Sequence, residues 1–475
     1  MNQLQLFLPC AAGVETLLAA EVKRITGTDG RAWRAGVQLQ GSWREAMQLN
    51  LHSRLAQRVL IELQHANYRG EQDLYNAAAD VAWEIWFTPK QTFKVEITAQ
   101  HSPLTSLNFA ALKIKDAIAD RFRHKFDVRP DVDTRWPDVR VYVHLTTDTV
   151  TIYIDTSGEP LFKRGWREDK GDAPLKETLA AAMIAASGWD QLCKDGVPLY
   201  DPCCGSGTIA IEAAQIACGI APGINRRFAF QKFLPFQAHV WDGLLDQAEA
   251  AITEPTAPVF GSDVAFRMVD FATRNAERAG VANAVEFRGG DALQRMPPAV
   301  TGVMLVNPPY GERIDVAGVA GITGQQGRSL REQPHDRGQQ RTQNGQEWQS
   351  RDGRRQAVDE FGQPLNTGAQ DTRDDPVFET SRDRSANPGR EQAQNAWGEE
   401  ASDFFPQLAT HWKKNYAGWT AHVLTPDLKL PNKMRLKESR RVPMWNGPIE
   451  CRLFRFDMVA GSARGKPAAP DAPAI

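Results

Sequence analysis

The run Asn307-Pro308-Pro309-Tyr310 combines residue types that could act on a planar amine. The apolar stretch before it, residues 302–306, has the composition of a buried strand. Each proline fixes its own φ and pushes the preceding residue towards an extended backbone, so the Asn307 side chain is held in one pose. An exocyclic amino group on a nucleobase is a weak nucleophile, because its lone pair is delocalised into the ring. The Asn307 side-chain oxygen and the Pro308 carbonyl could each accept one of its N–H groups and direct the lone pair at an electrophile.

Tyr310 could complete such a site by holding the target base. Its ring could stack on a base that has been turned out of its helix, and Pro309 stiffens the loop that leads to it. The same four residues also fit a proline-rich turn after a buried strand, with no chemical role. The motif alone leaves both interpretations open, and a cofactor site in the same sheet would favour the catalytic one.

A glycine turn earlier in the chain has the features of a cofactor site. Residues 197–208 (VPLYDPCCGSGT) form an apolar strand, then a turn with two glycines, then the start of a helix. The glycines allow a tight turn and a close approach by a ligand at the start of a parallel-sheet unit. The residues that this turn offers to a cofactor are Asp201, Cys203, Gly205, Gly207 and Thr208.

The residues after the turn favour S-adenosylmethionine over a dinucleotide. A dinucleotide unit has an Asp or Glu roughly 20 residues further on, and residues 225–233 contain neither. The third fingerprint position is Ala210, which a dinucleotide site would tolerate, so the glycine pattern alone excludes nothing. S-adenosylmethionine has no pyrophosphate to bind, and Asp201 could meet its positively charged methionine part.

Two more predicted strands end in carboxylates. Asp263 follows the strand 258–262 and could accept the two ribose hydroxyls, and Asp291 follows a third strand and could bond the adenine amino group. Either aspartate alone also fits a helix cap or a solvated loop residue. Their order along the chain, with the glycine turn before them and Asn307 after them, favours one pocket at the carboxyl edge of a sheet. Asn307 would then contact the cofactor as well as the substrate.

Length and composition set the frame for these sites. The 475 residues allow two or three domains, and a net charge of -2 gives no overall nucleic-acid signature, so any RNA surface must be local. The six cysteines lack metal-ligand spacing, and no metal is expected. Unpaired thiols, the lack of a signal peptide and the lack of a long apolar run favour a cytoplasmic protein.

The predicted fold is α/β, with a parallel, cofactor-binding sheet preceded by two α+β units. In chain order we expect a small α+β unit (1–65), a second α+β unit (66–160), the first part of the sheet domain (161–315), a disordered polar insertion (316–400), the last part of the sheet domain (401–460) and a disordered tail (461–475).

Basic residues near aromatic ones could contact RNA at two places. The candidates in the second unit are Arg121, Arg123 and Lys125, and those in the segment that follows it are Lys163, Arg164 and Arg167. The first group also fits a helix end whose cations complement the helix dipole.

Together these stretches resemble the bacterial THUMP-domain RNA guanine-N2 methyltransferases, in particular the methyltransferase L half of the large-subunit ribosomal RNA enzymes that modify a 23S guanine. The matching residues are 115–117, 155–158, 163–167, 173–177, 201–208, 221–223, 307–313 and 446–451. The resemblance implies that residues 1–65 form a ferredoxin-like unit and residues 66–160 a THUMP RNA-binding unit, which grip structured RNA, either 23S ribosomal RNA or the assembling large subunit. It implies that the sheet after them is a Rossmann-like class I methyltransferase sheet. It also implies methyl transfer from S-adenosylmethionine to guanosine N2, with no metal. The polar insertion after residue 313 departs from the usual pattern.

Three other functions remain open at this stage. A transfer-RNA guanine-N2 methyltransferase differs only in its substrate. An adenine-N6 methyltransferase uses a similar Asn-Pro-Pro-Tyr loop, although the RNA-type N-terminal units argue against it. A non-catalytic ribosome-assembly factor would not need Asp263, Asp291 and Asn307 in place.

Overall fold

The computed structural model describes residues 3–171, 174–308 and 403–459. The helices are α1 (Glu15–Thr26), α2 (Trp43–His52), α3 (Glu71–Asp80), α4 (Leu107–Phe126), α5 (Glu177–Ser187), α6 (Trp189–Leu192), α7 (Thr208–Ala217), α8 (Ala238–Ala250), α9 (Phe266–Arg278), α10 (Phe404–Asn415) and α11 (Leu430–Met434). The strands are β1 (Leu4–Pro9), β2 (Arg31–Trp33), β3 (Gly36–Gly41), β4 (Leu60–Asn67), β5 (Phe93–Ala99), β6 (Val139–Leu145), β7 (Thr149–Asp155), β8 (Leu199–Asp201), β9 (Val259–Asp263), β10 (Val285–Gly289), β11 (Gly302–Val306), β12 (Trp419–Thr425), β13 (Arg440–Asn446) and β14 (Ile449–Asp457).

The first seven strands form one sheet, which defines the N-terminal module (residues 3–158). Its order is β2-β3-β1-β4-β7-β6-β5. Strands β4 and β7 pair antiparallel from Leu60 opposite Asp155 to Asn67 opposite Thr149, and this pairing joins the first α+β unit to the second. The two units therefore share a continuous backbone ladder.

The other seven strands form a mixed sheet of order β10-β9-β8-β11-β12-β14-β13. The strands from β10 to β12 are parallel, and β14 runs antiparallel to β12. Every residue of β11 is buried, as is typical of a parallel strand with both faces covered. The expected α/β class and Rossmann-like sheet are confirmed.

The start of α5, near the glycine turn, does not coincide with the nearest proline. Proline is common at the first position of a helix, but α5 begins at Glu177, three residues after Pro174, and follows the extended residue Lys176. The Leu175 carbonyl accepts a hydrogen bond from Arg167 instead of taking part in a helix. The expected insertion (316–400) and tail (461–475), together with Pro309 and Tyr310, lie outside the described residues.

The N-terminal module packs against the second sheet domain through aromatic and backbone contacts. The Trp43 ring lies 6.5 Å from Phe230 and 6.4 Å from Phe233, measured between centroids. The Gly223 amide donates to the Leu51 carbonyl at 2.9 Å. No helix within the described ranges is long and apolar enough to cross a membrane.

Candidate active site

The strand ends singled out in the sequence lie at one edge of the second sheet. Asp201 pairs in register with Gly261 on β9, and Asp263 pairs with Gly289 on β10. Strand β11 runs parallel to β8 and ends immediately before Asn307. Because the carboxyl ends of parallel strands meet at the same edge, the structure brings Asp201, Asp263 and Asn307 to one edge of the sheet.

The two glycines of the turn have different roles. Gly207 has a φ of +90°, and a Cβ there would lie 2.9 Å from Ala272 and 3.0 Å from the Phe287 ring, so only glycine fits. Gly205 has a φ of +52°, and a Cβ there would meet no atom within 4 Å. Gly207 therefore lets α7 pack closely on the sheet, whereas Gly205 leaves its backbone open to a ligand.

The Asp263 carboxylate is fixed by the backbone at both of its oxygens. Oδ2 accepts from the Gly205 amide and Oδ1 from the Ala265 amide, each at 2.9 Å. A carboxylate oxygen can accept more than one hydrogen bond, so Asp263 can still bind a pair of hydroxyls. Asp291 is half-buried, and its Oδ1 accepts from the Leu293 amide at 2.9 Å.

Phe266, which the sequence analysis did not single out, lies beside the strand ends of the candidate site. Its side chain is 79% exposed at the start of α9, three residues after Asp263. The ring lies against the backbone of Gly289, where a Cβ would be 2.7 Å from Cε1. In the sequence, the available signal was an aromatic residue three positions after the aspartate that ends β9.

Asp201 is buried at the base of the pocket. Burial and the nearby charge of Asp263 raise its pKa to about 8, although the Cys203 amide, 3.1 Å from Oδ1, favours the ionised form. Burial also raises the pKa of the Cys203 and Cys204 thiols well above their ordinary range, so they are poor nucleophiles. In the described part of the chain, no three His, Cys, Asp or Glu side chains are grouped to hold a metal ion.

Asn307 presents an unsatisfied acceptor at the end of β11. Within the described ranges, its Oδ1 atom is buried and accepts no hydrogen bond. An unpaired buried polar group costs about 1–3 kcal/mol, so a donor from a ligand would relieve this position. Pro308 is buried beside it.

Two of the six predicted RNA contacts belong instead to the interior. Arg164 is 3% exposed, and its guanidinium donates to Glu212 and to two backbone carbonyls, so the prediction that it contacts RNA is wrong in this structure. Arg167 donates to Glu177 at 2.8 Å and to Thr208 Oγ1 at 2.7 Å. It therefore braces the glycine turn.

The remaining predicted RNA contacts differ in how strongly they are bonded to other residues of the protein. Arg121 donates two hydrogen bonds to Glu84, at 2.7 and 2.9 Å, and these bonds hold α4 in place. Arg123, Lys125 and Lys163 are exposed and make only surface ion pairs. These three can reach phosphates without disturbing the fold.

Three family models match consecutive parts of the chain. Residues 5–60 match the RlmL ferredoxin-like domain, residues 68–155 the THUMP domain, and residues 164–340 the RMKL-like methyltransferase domain. The chain carries a THUMP module and an RMKL-like methyltransferase domain. The resemblance drawn from the sequence is thereby confirmed at the level of these domains.

Curated relatives extend this similarity. The ribosomal RNA large subunit methyltransferase K/L of Psychromonas ingrahamii is 40% identical over 318 residues, which are 66% of this chain and 42% of the relative. The protein of the same name from Shewanella frigidimarina is 30% identical over 463 residues, which are 96% of this chain and 53% of the relative. The chain thus spans about half the length of the curated relatives it matches.

The fold also matches solved structures. A methyltransferase structure described as SMU.472 complexed with SAH superposes with a TM-score of 0.72. The match covers 98% of this chain and 100% of that chain at 22% sequence identity, which supports the shared fold.

Proposed function

We propose that the protein transfers a methyl group from S-adenosylmethionine to the exocyclic N2 of a guanosine in RNA, and that the RNA is 23S ribosomal RNA. The observation that carries the proposal is the Oδ1 atom of Asn307, which is buried and has no hydrogen-bond partner among the described residues, at the same sheet edge as the glycine turn. An amine donor from a flipped base would satisfy that oxygen, and the turn would place a cofactor beside it.

The residues of the pocket fit the parts of S-adenosylmethionine. Asp263 would hold the ribose hydroxyls, Asp291 the adenine amino group and Asp201 the methionine ammonium, while the open space beside the Gly205 backbone would allow the cofactor to approach closely. Bound S-adenosylmethionine supplies a methyl group on a positively charged sulfur, which is already an activated electrophile. The chain's own task is alignment.

Asn307 and Pro308 would perform that alignment on the substrate side. Two acceptors, the Asn307 Oδ1 atom and the Pro308 carbonyl, would hold the two N–H groups of the amine and turn its lone pair out of the ring plane. As positive charge develops on the nitrogen, the same oxygens would stabilise it in a site with little water. Tyr310, outside the described residues, remains the predicted stacking partner of the base.

The RNA partner is proposed from the THUMP match and from the names of the relatives. Exposed cations at Arg123, Lys125 and Lys163 are candidates for phosphate contacts on structured RNA or on the assembling large subunit. Guanine N2 and the 23S molecule follow from the resemblance of the sequence and belong to the proposal.

The test is methyl transfer with purified protein and labelled S-adenosylmethionine. Unmodified 23S ribosomal RNA and unmodified transfer RNA are supplied separately, and the product nucleosides are identified by mass spectrometry. The expected product is N2-methylguanosine in 23S RNA. Product in transfer RNA alone would identify the transfer-RNA alternative, and N6-methyladenosine the adenine alternative. No product with either RNA would favour a non-catalytic assembly factor.

A further inference from the structure

We propose that Arg54 is a positioning residue for methyl transfer, and that it fixes the N-terminal module relative to the glycine turn. The proposal rests on the function proposed above. Arg54 follows α2, and its side chain leaves the N-terminal module to reach α7. Its Nη1 atom donates to Glu212 Oε2 at 3.0 Å, and its Nη2 atom donates to the Ile220 carbonyl.

The partner carboxylate is closed to solvent and shared between two arginines. In the described part of the chain, Glu212 is fully buried, and its second oxygen accepts from Arg164 Nε at 3.0 Å. Burial alone would raise the pKa of Glu212, but the two guanidinium groups outweigh it and hold the pKa below its ordinary value. The carboxylate is therefore ionised at neutral pH and bonded on both oxygens.

Glu212 lies on the helix that directly follows the cofactor turn, so the positions of the two are linked. It lies four residues after Thr208, about one helical turn into α7, and Gly207 of the glycine turn caps the start of α7. Nearly every residue of α7 is buried, so the helix moves as one body with the turn. A shift of Arg54 relative to Glu212 would therefore be a shift of the N-terminal module relative to the cofactor.

Arg54 is equally well fixed on its own side of the junction. Its backbone amide donates to Glu21 Oε1 at 3.0 Å, inside the N-terminal module. The pairing of β4 with β7 then connects this unit to the THUMP sheet along the whole length of both strands. Fixing Arg54 consequently fixes the sheet that is proposed to hold RNA.

The hydrogen bonds between charged groups give the junction a defined orientation, which its apolar contacts do not. Packing of Trp43 on Phe230 and Phe233 gives area but little directional preference. A buried ion pair rarely adds net stability over an apolar pair of the same shape, whereas charge-assisted hydrogen bonds have defined geometry. Register between the two modules is therefore the property that this cluster supplies.

The test removes the hydrogen bonds of Arg54 without leaving the buried Glu212 carboxylate unpaired. Arg54→Met leaves Arg164 and Glu212 as a neutral pair. Arg140→Met is the matched control, because Arg140 shares Glu96 with Lys94 at 2.8 and 3.0 Å within the N-terminal sheet alone.

For Arg54→Met we expect faster amide hydrogen exchange around residues 205–224 and binding of S-adenosylhomocysteine and RNA within about threefold of wild type. Turnover should fall about tenfold or more, since small misplacements of reacting groups slow reactions strongly, and methyl groups should appear on neighbouring guanosines. Arg140→Met should show none of these changes. Loss of turnover with a parallel loss of cofactor affinity would indicate a merely structural role and overturn the proposal.

Wild-type exchange, turnover and target nucleotide in Arg54→Met would also overturn it. If that variant melts too early for assay, Arg54→Gln, which keeps a donor for the Ile220 carbonyl, carries the same test. A wild-type protein without RNA methylation would refute the proposed function instead, and hydrogen exchange at the junction would still decide the role of Arg54.

Discussion

The Asp263 carboxylate accepts a hydrogen bond from the Gly205 amide, with 2.9 Å between Oδ2 and the amide nitrogen. This bond ties the end of β9 to the turn that follows β8. The two segments are 58 residues apart in sequence, and each was predicted separately to bind the cofactor. Asp263 therefore shapes the turn as well as offering acceptors to a ribose.

Asp263→Ala should weaken binding of S-adenosylhomocysteine by about 1.5–3 kcal/mol, or roughly 10- to 150-fold in affinity. The loss combines the ribose contact with a looser Gly205 turn. Asp263→Asn keeps one oxygen and should show a smaller loss. Titration calorimetry measures both affinities, and thermal melting confirms that the variants are folded. Wild-type affinity in Asp263→Ala would contradict the assignment.

Asn307→Ala should reduce turnover by roughly 10²-fold or more, the scale for one preorganised polar contact to a reacting group. Affinity for RNA and for S-adenosylhomocysteine should change little, because neither depends mainly on this oxygen. The same substitution at Asn415, half-buried in α10, is the control for loss of an asparagine elsewhere. An Asn307→Ala protein with normal turnover would show that the loop is a structural turn.

Tyr310 gives a prediction that rests on the sequence. Tyr310→Ala should slow methyl transfer through loss of about 1–3 kcal/mol of base stacking. Tyr310→Phe retains the ring and should remain close to wild type. Steady-state rates on the same RNA compare the two variants, and equal effects of Ala and Phe would argue for the hydroxyl group instead of the ring.

Asp201 predicts a particular dependence of stability on pH. Its folded pKa of about 8 lies above the ordinary value of 3.8, so the folded protein binds this proton more tightly than the unfolded chain does. The resulting contribution to stability is full below about pH 4 and is lost as the pH rises through 8. Asp201→Asn should gain stability relative to wild type as the pH is raised from about 5 to 8, by at most about 1.4 kcal/mol per pH unit. Urea unfolding at several pH values measures this difference. Asp242→Asn, at an exposed position in α8, controls for the loss of one charge, and a flat difference for Asp201→Asn would refute the prediction.

The structure also changes what a truncated protein should do. The bounds predicted from the sequence treat the cofactor-binding sheet as a separate domain that begins at residue 161. Removing the N-terminal module would expose Phe230 and Phe233 and would take Arg54 from Glu212. We now expect the 159–475 fragment to be poorly soluble and to lack a cooperative melting transition. A well-folded fragment with full affinity for S-adenosylhomocysteine would contradict this.

The sheet that carries the candidate site was predictable because its signals are local. The apolar run of β11 and the glycine pattern after β8 lie within a few residues of the groups they position. The start of α5 at Glu177 was not predictable, because the Leu175 carbonyl bonds to Arg167 in a contact that no local pattern encodes. That contact joins residues eight positions apart.

The roles of the arginines were the least predictable part of the site. Charge and aromatic neighbours made Arg164 resemble an RNA contact, yet its partner Glu212 is 48 residues away and fully buried. Arg54 and Glu212, 158 residues apart, gave no sign of a shared function in the sequence. A buried carboxylate can be recognised only when the elements around it are known.

The burial of the Arg54–Glu212–Arg164 cluster has a practical consequence for ionic strength. Mobile ions screen charges that face water, and the side chains of this cluster are at most 11% exposed. Added salt should therefore weaken phosphate contacts at Arg123, Lys125 and Lys163 while leaving the module junction intact. The slope of RNA affinity against salt concentration then counts the phosphates that the protein neutralises, without a contribution from the two modules separating.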